Sequence, residues 1–277
     1  AMNLQLINSF ISIEEQQLNE EFLEQGYVIR PVDQPETLDE LRHRIVEVAC
    51  EHLQIEIPDD DDLFLNTLHQ QVPVPKLNAL RLFIYNRMNT EPWFRPTYFA
   101  LGKSIVETLV GNELAMQNRV NLSIQMPKDD SSLVGMHSDI LGAETPFEVV
   151  QWIPLVNTWD TKSIYILSPE RNRDIWPQLK EITSQGGTDK LFEAVKDDLV
   201  WIPVKFGEVL IFSPIILHGN LINEIPETRW SLNVRFTGLF TPYLSEEKTV
   251  GGFYLPVTTK TVSRIGMNYQ HPSGFED

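Results

Sequence analysis

Short hydrophobic stretches that alternate with polar residues dominate the chain from about residue 119 onward. They are rich in Val, Ile, Phe and Trp, and Gly, Pro, Asn and Asp separate them. Because successive side chains of a strand point to opposite faces, this alternation predicts β-strands. Many short strands with turn residues between them are typical of an antiparallel sandwich or barrel rather than of βαβ units. The predicted strands are 119–126, 147–155, 163–168, 199–204, 208–213 and 229–237.

In the N-terminal part of the chain, the apolar residues recur at the spacing of an α-helix instead. Ser12 and Glu15 form a capping box where the first helix is expected to begin, and Gly26 lies where it is expected to end. A short strand is predicted directly afterwards, at 27–29. The other predictions here are a helix that begins at a second capping box formed by Thr37 and Glu40, a solvated loop at 59–62, and a helix from near Pro96 to near Gly111.

These two patterns of hydrophobic residues favour a mainly β fold with flanking helices, which forms a single domain over residues 2–277. Residues 2–118 are expected to supply helical support and a rim, and residues 119–240 the β core. A more polar segment within the core, 171–198, is expected to be a partly helical insertion. Residues 241–277 are expected to form a C-terminal tail.

Composition excludes several classes of protein. The 277 residues include 22 Lys and Arg against 39 Asp and Glu, a net charge of −17, which argues against binding to a nucleic-acid backbone. The single cysteine, Cys50, excludes an intrachain disulfide and fits a reducing compartment, so a cytoplasmic protein is expected. No apolar run reaches the length of a membrane span, so no membrane partner is expected. The sequence leaves the oligomeric state open.

The charge is unevenly distributed. Residues 14–62 contain sixteen acidic and three basic residues, whereas residues 66–103 contain five basic residues and one acidic residue. One interpretation is that both segments are solvated faces. The other is that the basic segment helps to bind an anionic small-molecule substrate.

His137 and Asp139 are the first candidates for chemistry. Residues two apart on an extended segment point to the same side, so this imidazole and this carboxylate can approach one ion. Together with a distant second histidine they would form the facial triad of non-haem Fe(II) oxygenases, which leaves ligand positions open. A His-x-Asp motif alone has little specificity.

The residues that could complete this metal site lie further along the chain. His218 follows a hydrophobic segment at 207–212, and Arg229 and Ser231 follow it at the start of the next predicted strand. Arg229 and Ser231 share one face, so a guanidinium and a hydroxyl would point into the barrel together. That pair suits a carboxylate. Alone, His218 would be interpreted as a hydrogen-bonded core residue and Arg229 as half of a structural ion pair.

Four segments in this order resemble the phytanoyl-CoA dioxygenase-like branch of Fe(II)/2-oxoglutarate oxygenases, over most of the chain. Residues 22–29 resemble the family's opening helix, glycine and strand, and residues 136–139 resemble its first metal motif. Residues 207–220 resemble the strand that carries the distal histidine, and 229–231 the 2-oxoglutarate anchor. One departure is visible at 162–170, where relatives usually have a glycine-containing turn. Substrate identity therefore cannot be taken from a relative.

The resemblance implies a double-stranded β-helix, a jelly roll of the cupin type. It implies that His137, Asp139 and His218 bind Fe(II), and that Arg229, with help from Ser231, binds the distal carboxylate of 2-oxoglutarate, with O₂ as the other co-substrate. Since related halogenases have no carboxylate at the position of Asp139, hydroxylation is the expected outcome, and desaturation or ring formation by the same intermediate stays open as an alternative.

Three polar residues on the strands beside these motifs have open roles. Gln125 and Asn121 lie on the polar face of the strand before the metal motif, and they are either contacts of 2-oxoglutarate or ordinary solvent-facing residues. Arg235 continues the face of Arg229 and Ser231. It would support the site, meet the substrate or form a structural ion pair.

The predicted function is hydroxylation of a small metabolite, sugar-derived or linked to a nucleotide or a carrier, with release of succinate and CO₂. Two alternatives stay open at this point. One is a jelly-roll metal- or ligand-binding protein without turnover, and the other is a protein hydroxylase of the cupin superfamily.

Overall fold

The structure is a computed structural model in which residues 10–184 and 186–274 are described. The predicted domain limits at residues 2 and 277 lie outside these ranges. Within them, nine α-helices lie at Ile13–Gln25 (α1), Pro35–Leu53 (α2), Asp61–Thr67 (α3), Val74–Asn89 (α4), Phe94–Leu109 (α5), Pro169–Ile175 (α6), Leu179–Ser184 (α7), Gly187–Val195 (α8) and Thr261–Met267 (α9).

Ten strands form two antiparallel sheets. They are Tyr27–Pro31 (β1), Leu114–Gln117 (β2), Asn121–Gln125 (β3), Glu148–Pro154 (β4), Ile164–Leu167 (β5), Leu199–Ile202 (β6), Glu208–Phe212 (β7), His218–Gly219 (β8), Arg229–Gly238 (β9) and Tyr254–Thr258 (β10). The large sheet has the order β1-β7-β4-β9-β2-β10, with β3 also paired to β9, and the small sheet has the order β6-β5-β8. All six strands predicted from the alternating pattern are present, so a mainly β fold with flanking helices is confirmed.

Strand β9 shows how the alternating pattern divides the molecule. Its apolar residues, which include Trp230 and Val234, are buried in the main hydrophobic core with Ile45 of α2 and Ile105 of α5. Its polar residues Arg229, Ser231, Asn233 and Arg235 line a cavity of about 500 Å³ on the other face. One face of the large sheet is thus covered by helices, and the other face is left for a site.

The small sheet encloses the same cavity from the opposite side. Ile164 of β5 and His218 of β8 line it together with the polar face of β9. The insertion packs behind this sheet, where Ile175, Leu191 and Val195 join its hydrophobic core. The expectation of a partly helical insertion is confirmed by α6, α7 and α8.

Strands also lie outside the predicted core segment. β1 pairs with β7, β2 pairs with β9, and β10 pairs with β2. Residues 2–118 and 241–277 thus contribute strands to the large sheet as well; β1 was predicted at 27–29, whereas β2 and β10 were not predicted.

Two local predictions about the N-terminal helices are also wrong. Helix α2 begins at Pro35, two residues before the predicted capping box, and the Thr37 hydroxyl bonds to the Gln34 side chain instead. The fixed φ of proline suits the first helical position, which explains the earlier start. The acidic run at 59–62 begins helix α3, because the Asp60 carboxylate caps it by accepting from the Leu63 N–H.

Gly26 ends helix α1 and packs against the loop that precedes β8, the strand that contains His218. Its φ of +79° is in the left-handed region, and its N–H bonds to the Phe22 carbonyl as a helix C-cap. A Cβ added here would lie 2.0 Å from Cδ1 of Ile216, a buried residue of the loop before β8. The glycine is therefore required both by the turn and by the close approach.

None of the helices in the described ranges is long and apolar enough to cross a membrane.

Replacing Gly26 with Ala is expected to lower the free energy of unfolding by about 2–4 kcal/mol, since backbone strain adds to overpacking against Ile216. Gly207→Ala is the matched control, because Gly207 also has a positive φ but has no atom within 4 Å of an added Cβ. That variant should lose only about 1 kcal/mol. Urea denaturation measures both values, and equal losses would contradict the role assigned to the Ile216 contact.

Candidate metal centre and anion site

A reciprocal pair of backbone hydrogen bonds brings the two predicted histidine ligands together. The His137 N–H donates to the His218 carbonyl at 3.0 Å, and the His218 N–H donates to the His137 carbonyl at 2.9 Å. His137 thus continues the small sheet beside β8, although 81 residues separate the two positions in the chain. Their ring centroids lie 4.3 Å apart.

Asp139 completes the cluster. Its backbone N–H donates to the Pro214 carbonyl at 3.0 Å, which fixes it beside the loop before β8. Its Oδ1 lies 3.4 Å from His137 Nε2 and 3.9 Å from His218 Nε2. One ligand atom from each of the three residues lies within 4.8 Å of the others, and this is the one such His/Cys/Asp/Glu cluster among the described residues.

The hydrogen bonds of both imidazoles expose the same nitrogen to the cluster. His137 Nδ1 lies 2.8 Å from the Gly135 carbonyl, and His218 Nδ1 lies 2.8 Å from the Ile216 carbonyl. A carbonyl oxygen can only accept, so in each ring Nδ1 carries a proton, and Nε2 has a free lone pair when the imidazole is neutral. Metal-binding histidines are oriented in this way in proteins.

The three candidate ligands differ in their proton affinity. Burial lowers the pKa of His218 to about 4, so this imidazole is neutral near pH 7. Burial also acts to lower the pKa of His137, but hydrogen bonds to Asp139 and to the Gly135 carbonyl outweigh it and raise the pKa above its ordinary value. For Asp139, burial is outweighed by His137 and Arg235, which hold the pKa well below its usual range.

Arg235 holds the Asp139 carboxylate in place. Its Nε lies 3.1 Å from Oδ2 and its Nη2 lies 2.7 Å from Oδ1, a two-pronged contact that fixes the plane of the carboxylate. Each carboxylate oxygen has more than one lone pair, so Oδ1 can accept this bond and still face a cation. The structure therefore places Arg235 in an ion pair that also supports the cluster.

A second buried carboxyl group lies behind this pair. Glu148 Oε1 is 3.7 Å from Arg235 Nε, and Glu148 Oε2 is hydrogen-bonded to the Tyr254 hydroxyl. Burial raises the pKa of Glu148 to about 8, so it is largely protonated at neutral pH. Arg235 is then left with Asp139 as its charged partner.

Arg229 is buried without a carboxylate partner. Its Nη1 donates to the Ser163 carbonyl at 3.3 Å and its Nη2 to the Ser123 hydroxyl at 3.2 Å, while its Nε has no partner. None of the described carboxylates forms an ion pair with it. Burial lowers its pKa to about 10, so it stays charged at neutral pH. A buried, unpaired guanidinium is costly, and this geometry does not support the structural ion pair considered for Arg229.

The Ser231 hydroxyl is also buried without a hydrogen-bond partner, on the same face of β9. Two unsatisfied groups on one face, one of them cationic, fit a carboxylate that enters the cavity. The residues present thus fit both groups implied by the sequence: a divalent cation at the His-Asp-His cluster and a dicarboxylate that reaches Arg229.

The two amides of β3 have different positions. Asn121 lines the cavity, where its Nδ2 donates to Asn233 Oδ1 at 3.0 Å. Gln125 pairs with Arg229 in the strand register but is not among the lining residues, and its Nε2 donates to the Leu221 carbonyl at 2.6 Å. Gln125 is buried and is therefore not solvent-facing, whereas Asn121 is half-buried. A contact with 2-oxoglutarate stays a prediction for both.

The unusual segment at 162–170 begins beneath Arg229. The Lys162 ammonium is fully buried and bonds to Glu227 Oε2 at 2.6 Å and to Asn66 Oδ1 at 2.7 Å. The next residue, Ser163, supplies the carbonyl that accepts from Arg229. This segment therefore supplies a hydrogen-bond acceptor to the guanidinium.

Two of the cavity-lining residues lie on helix α4, which was not predicted from the sequence; Arg81 was considered only as one of the five basic residues of segment 66–103. Arg81 and Tyr85 lie one turn apart on α4 and both line the cavity. The helix itself was predictable, because its buried residues Leu77, Leu80, Ile84 and Met88 follow a helical spacing. Its packing against β3 brings the flank of this buried face, with Arg81 and Tyr85, to the cavity, and no local pattern indicates that contact.

No protein-family model matches the chain, and no curated protein matches it. Solved structures do. The chain is similar to the non-heme monooxygenase ThoJ in its nickel complex, with a TM-score of 0.55 and 14% identity over 89% of this chain and 85% of that one. It is also similar to HygX from Streptomyces hygroscopicus with nickel and 2-oxoglutarate bound, with a TM-score of 0.54 and 14% identity over 88% and 96%. At such identities the likeness shows a shared fold.

Binding of Ni(II), a redox-inactive probe, is expected to release about one proton near pH 6, since the ligand form of histidine is neutral and, of the two candidate histidine ligands, only His137 has a raised pKa. Affinity should fall as the pH is lowered through the pKa of His137. Calorimetry in buffers of different ionisation enthalpy measures the proton count.

His137→Ala should weaken binding by at least about 100-fold, whereas His43→Ala, at an exposed position outside the cluster, should change neither the affinity nor the proton release. Release of two protons by the wild type would show that His218 is not neutral before the metal binds.

Proposed function

We propose that the chain is an Fe(II)- and 2-oxoglutarate-dependent oxygenase with a double-stranded β-helix, and that it hydroxylates a small metabolite. The observation that carries this proposal is the buried Arg229 guanidinium, unpaired by any described carboxylate, in the same cavity as a His-Asp-His cluster. A metal-binding protein needs the cluster alone. The cationic anchor in the same cavity is explained by a co-substrate that binds the metal at one end and carries a carboxylate at the other.

The shared fold supports the proposal. HygX, whose fold the chain shares, has been solved with iron and, separately, with nickel and 2-oxoglutarate. Assignment to the phytanoyl-CoA dioxygenase-like branch stays a prediction, and so does hydroxylation as the reaction type.

In this reaction one atom of O₂ enters a C–H bond of the substrate, while 2-oxoglutarate takes up the other and leaves as succinate and CO₂. His137, Asp139 and His218 would hold Fe(II) on one side and leave the cavity side open. Arg235 would keep the Asp139 carboxylate in a fixed plane. Arg229 and Ser231 would hold the distal carboxylate of 2-oxoglutarate and so orient its other end towards the metal.

The apolar part of the cavity lining suits a reaction from which water must be excluded. Val150, Trp152, Ile164 and Phe212 form apolar surface beside the polar residues. Such surface excludes bulk water from a reactive centre and strengthens the electrostatic contacts within it. A volume of about 500 Å³ also suits a small-molecule co-substrate together with the reacting part of a substrate.

Replacing Arg229 with Gln is expected to weaken 2-oxoglutarate binding to the Ni(II)-loaded protein by about 100-fold, through the loss of two charge-assisted hydrogen bonds. Ser231→Ala should weaken it by about fivefold. Arg229→Lys, which keeps the positive charge but loses the planar guanidinium that can donate two parallel hydrogen bonds, should have an intermediate effect. Titration calorimetry measures the affinities, and Arg264→Gln at an exposed position of α9 should match the wild type.

The activity itself is tested with Fe(II) and 2-oxoglutarate in air, with succinate as the readout. The wild type should form succinate slowly even without its substrate, and Asp139→Ala should not. Tight 2-oxoglutarate binding without succinate would favour the alternative of a binding protein without turnover. Equal 2-oxoglutarate affinity in wild type and Arg229→Gln would remove the main support for the proposal.

A further inference from the structure

A groove along helix α4 adjoins the cavity. This α4 groove, of about 680 Å³, is lined by the first two turns of α4, by β3 and by the loop from Ser131 to Val134. The groove and the cavity share four lining residues, Arg81, Leu122, Ser123 and Val134. The two spaces therefore adjoin, and these four residues form their common border.

Arg81 lies at the junction of the two spaces. It is half-buried, and its Nη2 donates a hydrogen bond of 2.8 Å to Asn78 Oδ1, one turn earlier on the helix. None of the described carboxylates forms an ion pair with it. The guanidinium therefore has donors free for a ligand that enters the groove.

The other basic residues of segment 66–103 do not share this position. Arg95 donates to the carbonyls of Met116 and Gln117, and Lys103 pairs with Glu107. Lys76 and Arg87 are exposed and line neither space. Of the five basic residues, Arg81 alone lines the cavity and the groove, so one side chain rather than a basic patch is available to an anion.

The charge of the lining favours an anion. Arg81, Arg229 and Arg235 line the cavity against a single carboxylate, Asp139, and no acidic residue lines the α4 groove. The formal charges of a divalent metal ion and of 2-oxoglutarate cancel, so this positive surplus persists when both are bound. Buried Asp129 lies behind the groove, where its carboxylate accepts bonds from Ser131 and Ser132.

The polar and apolar side chains that line the groove indicate the chemistry of the rest of the ligand. Asn78, Ser131 and Ser132 supply polar side chains, and Val74, Pro75 and Leu133 supply apolar surface. The positive end of the α4 dipole also lies at this groove. These features fit a molecule with a mixed polar and apolar body and one acidic group.

We propose that Arg81 binds an acidic group, a phosphate or a carboxylate, of the substrate, and so sets which molecules are hydroxylated. This inference rests on the proposed oxygenase function, because it places the reacting part in the cavity with the metal. The acidic group then lies at the junction, and the remainder of the substrate extends along the α4 groove. The net charge of −17 does not oppose this, since the lining has the opposite sign.

The test uses inorganic phosphate and acetate as probes of the two acid types. Each is titrated by calorimetry into the full chain, loaded with Ni(II) and with saturating 2-oxoglutarate. The 2-oxoglutarate keeps the probes from binding at Arg229, and the Ni(II) complex does not react. Arg81→Gln is compared with the wild type, with Arg81→Lys as the charge-conserving variant. Arg87→Gln is the matched control, on the same helix but outside both spaces.

At least one probe should bind the wild type, and Arg81→Gln should weaken it by about fivefold or more. Arg81→Lys should recover part of the loss, and Arg87→Gln should match the wild type. Preference for phosphate or for acetate identifies the acid type. Absence of binding to the wild type, or equal binding to wild type and Arg81→Gln, would overturn the inference.

A separate readout distinguishes this failure from failure of the proposed function. 2-Oxoglutarate binding to the Ni(II)-loaded wild type is measured first. If 2-oxoglutarate binds but the probes do not distinguish Arg81→Gln, the oxygenase proposal stands and the Arg81 assignment is wrong. If 2-oxoglutarate itself does not bind, the proposed function is wrong.

Discussion

The two hydrogen bonds that His137 and His218 exchange through their backbones determine where the rest of the site can lie. They join two segments that are far apart in sequence into one edge of the small sheet, and this brings both Nε2 atoms to one point. Asp139 reaches the same point because it is two residues further along and its N–H is fixed by the Pro214 carbonyl. The large sheet then faces this point with the polar side of β9.

The electrostatics of the cavity follow from which charges are paired. Arg235 is paired with Asp139, and the buried Glu148 beside them is largely neutral because burial raises its pKa to about 8. Arg229 and Arg81 have no carboxylate partner among the described residues. A lining that keeps two such guanidinium groups is suited to two anions: a co-substrate deep in the cavity and, by our inference, a substrate at its junction with the groove.

The sequence allowed the central part of this arrangement to be predicted and left its surroundings unpredicted. The alternation in β9 located Arg229 and Ser231 on one face, and the His-x-Asp motif with a later histidine indicated the cluster, because these features are local and periodic. The capping box at Thr37 was wrong because Pro35 starts the helix earlier. The bond from Gln125 to Leu221, the burial of Lys162 and the place of Arg81 all depend on packing between distant segments.

The central claim is that His137, Asp139, His218 and Arg229 form one site for Fe(II) and 2-oxoglutarate. The visible spectrum of the protein under anaerobic conditions, with Fe(II) and 2-oxoglutarate added separately and then together, tests it most directly. We expect a weak charge-transfer band that requires both additions and is absent from the His218→Ala variant. A wild-type spectrum equal to the sum of its separate components would contradict the account.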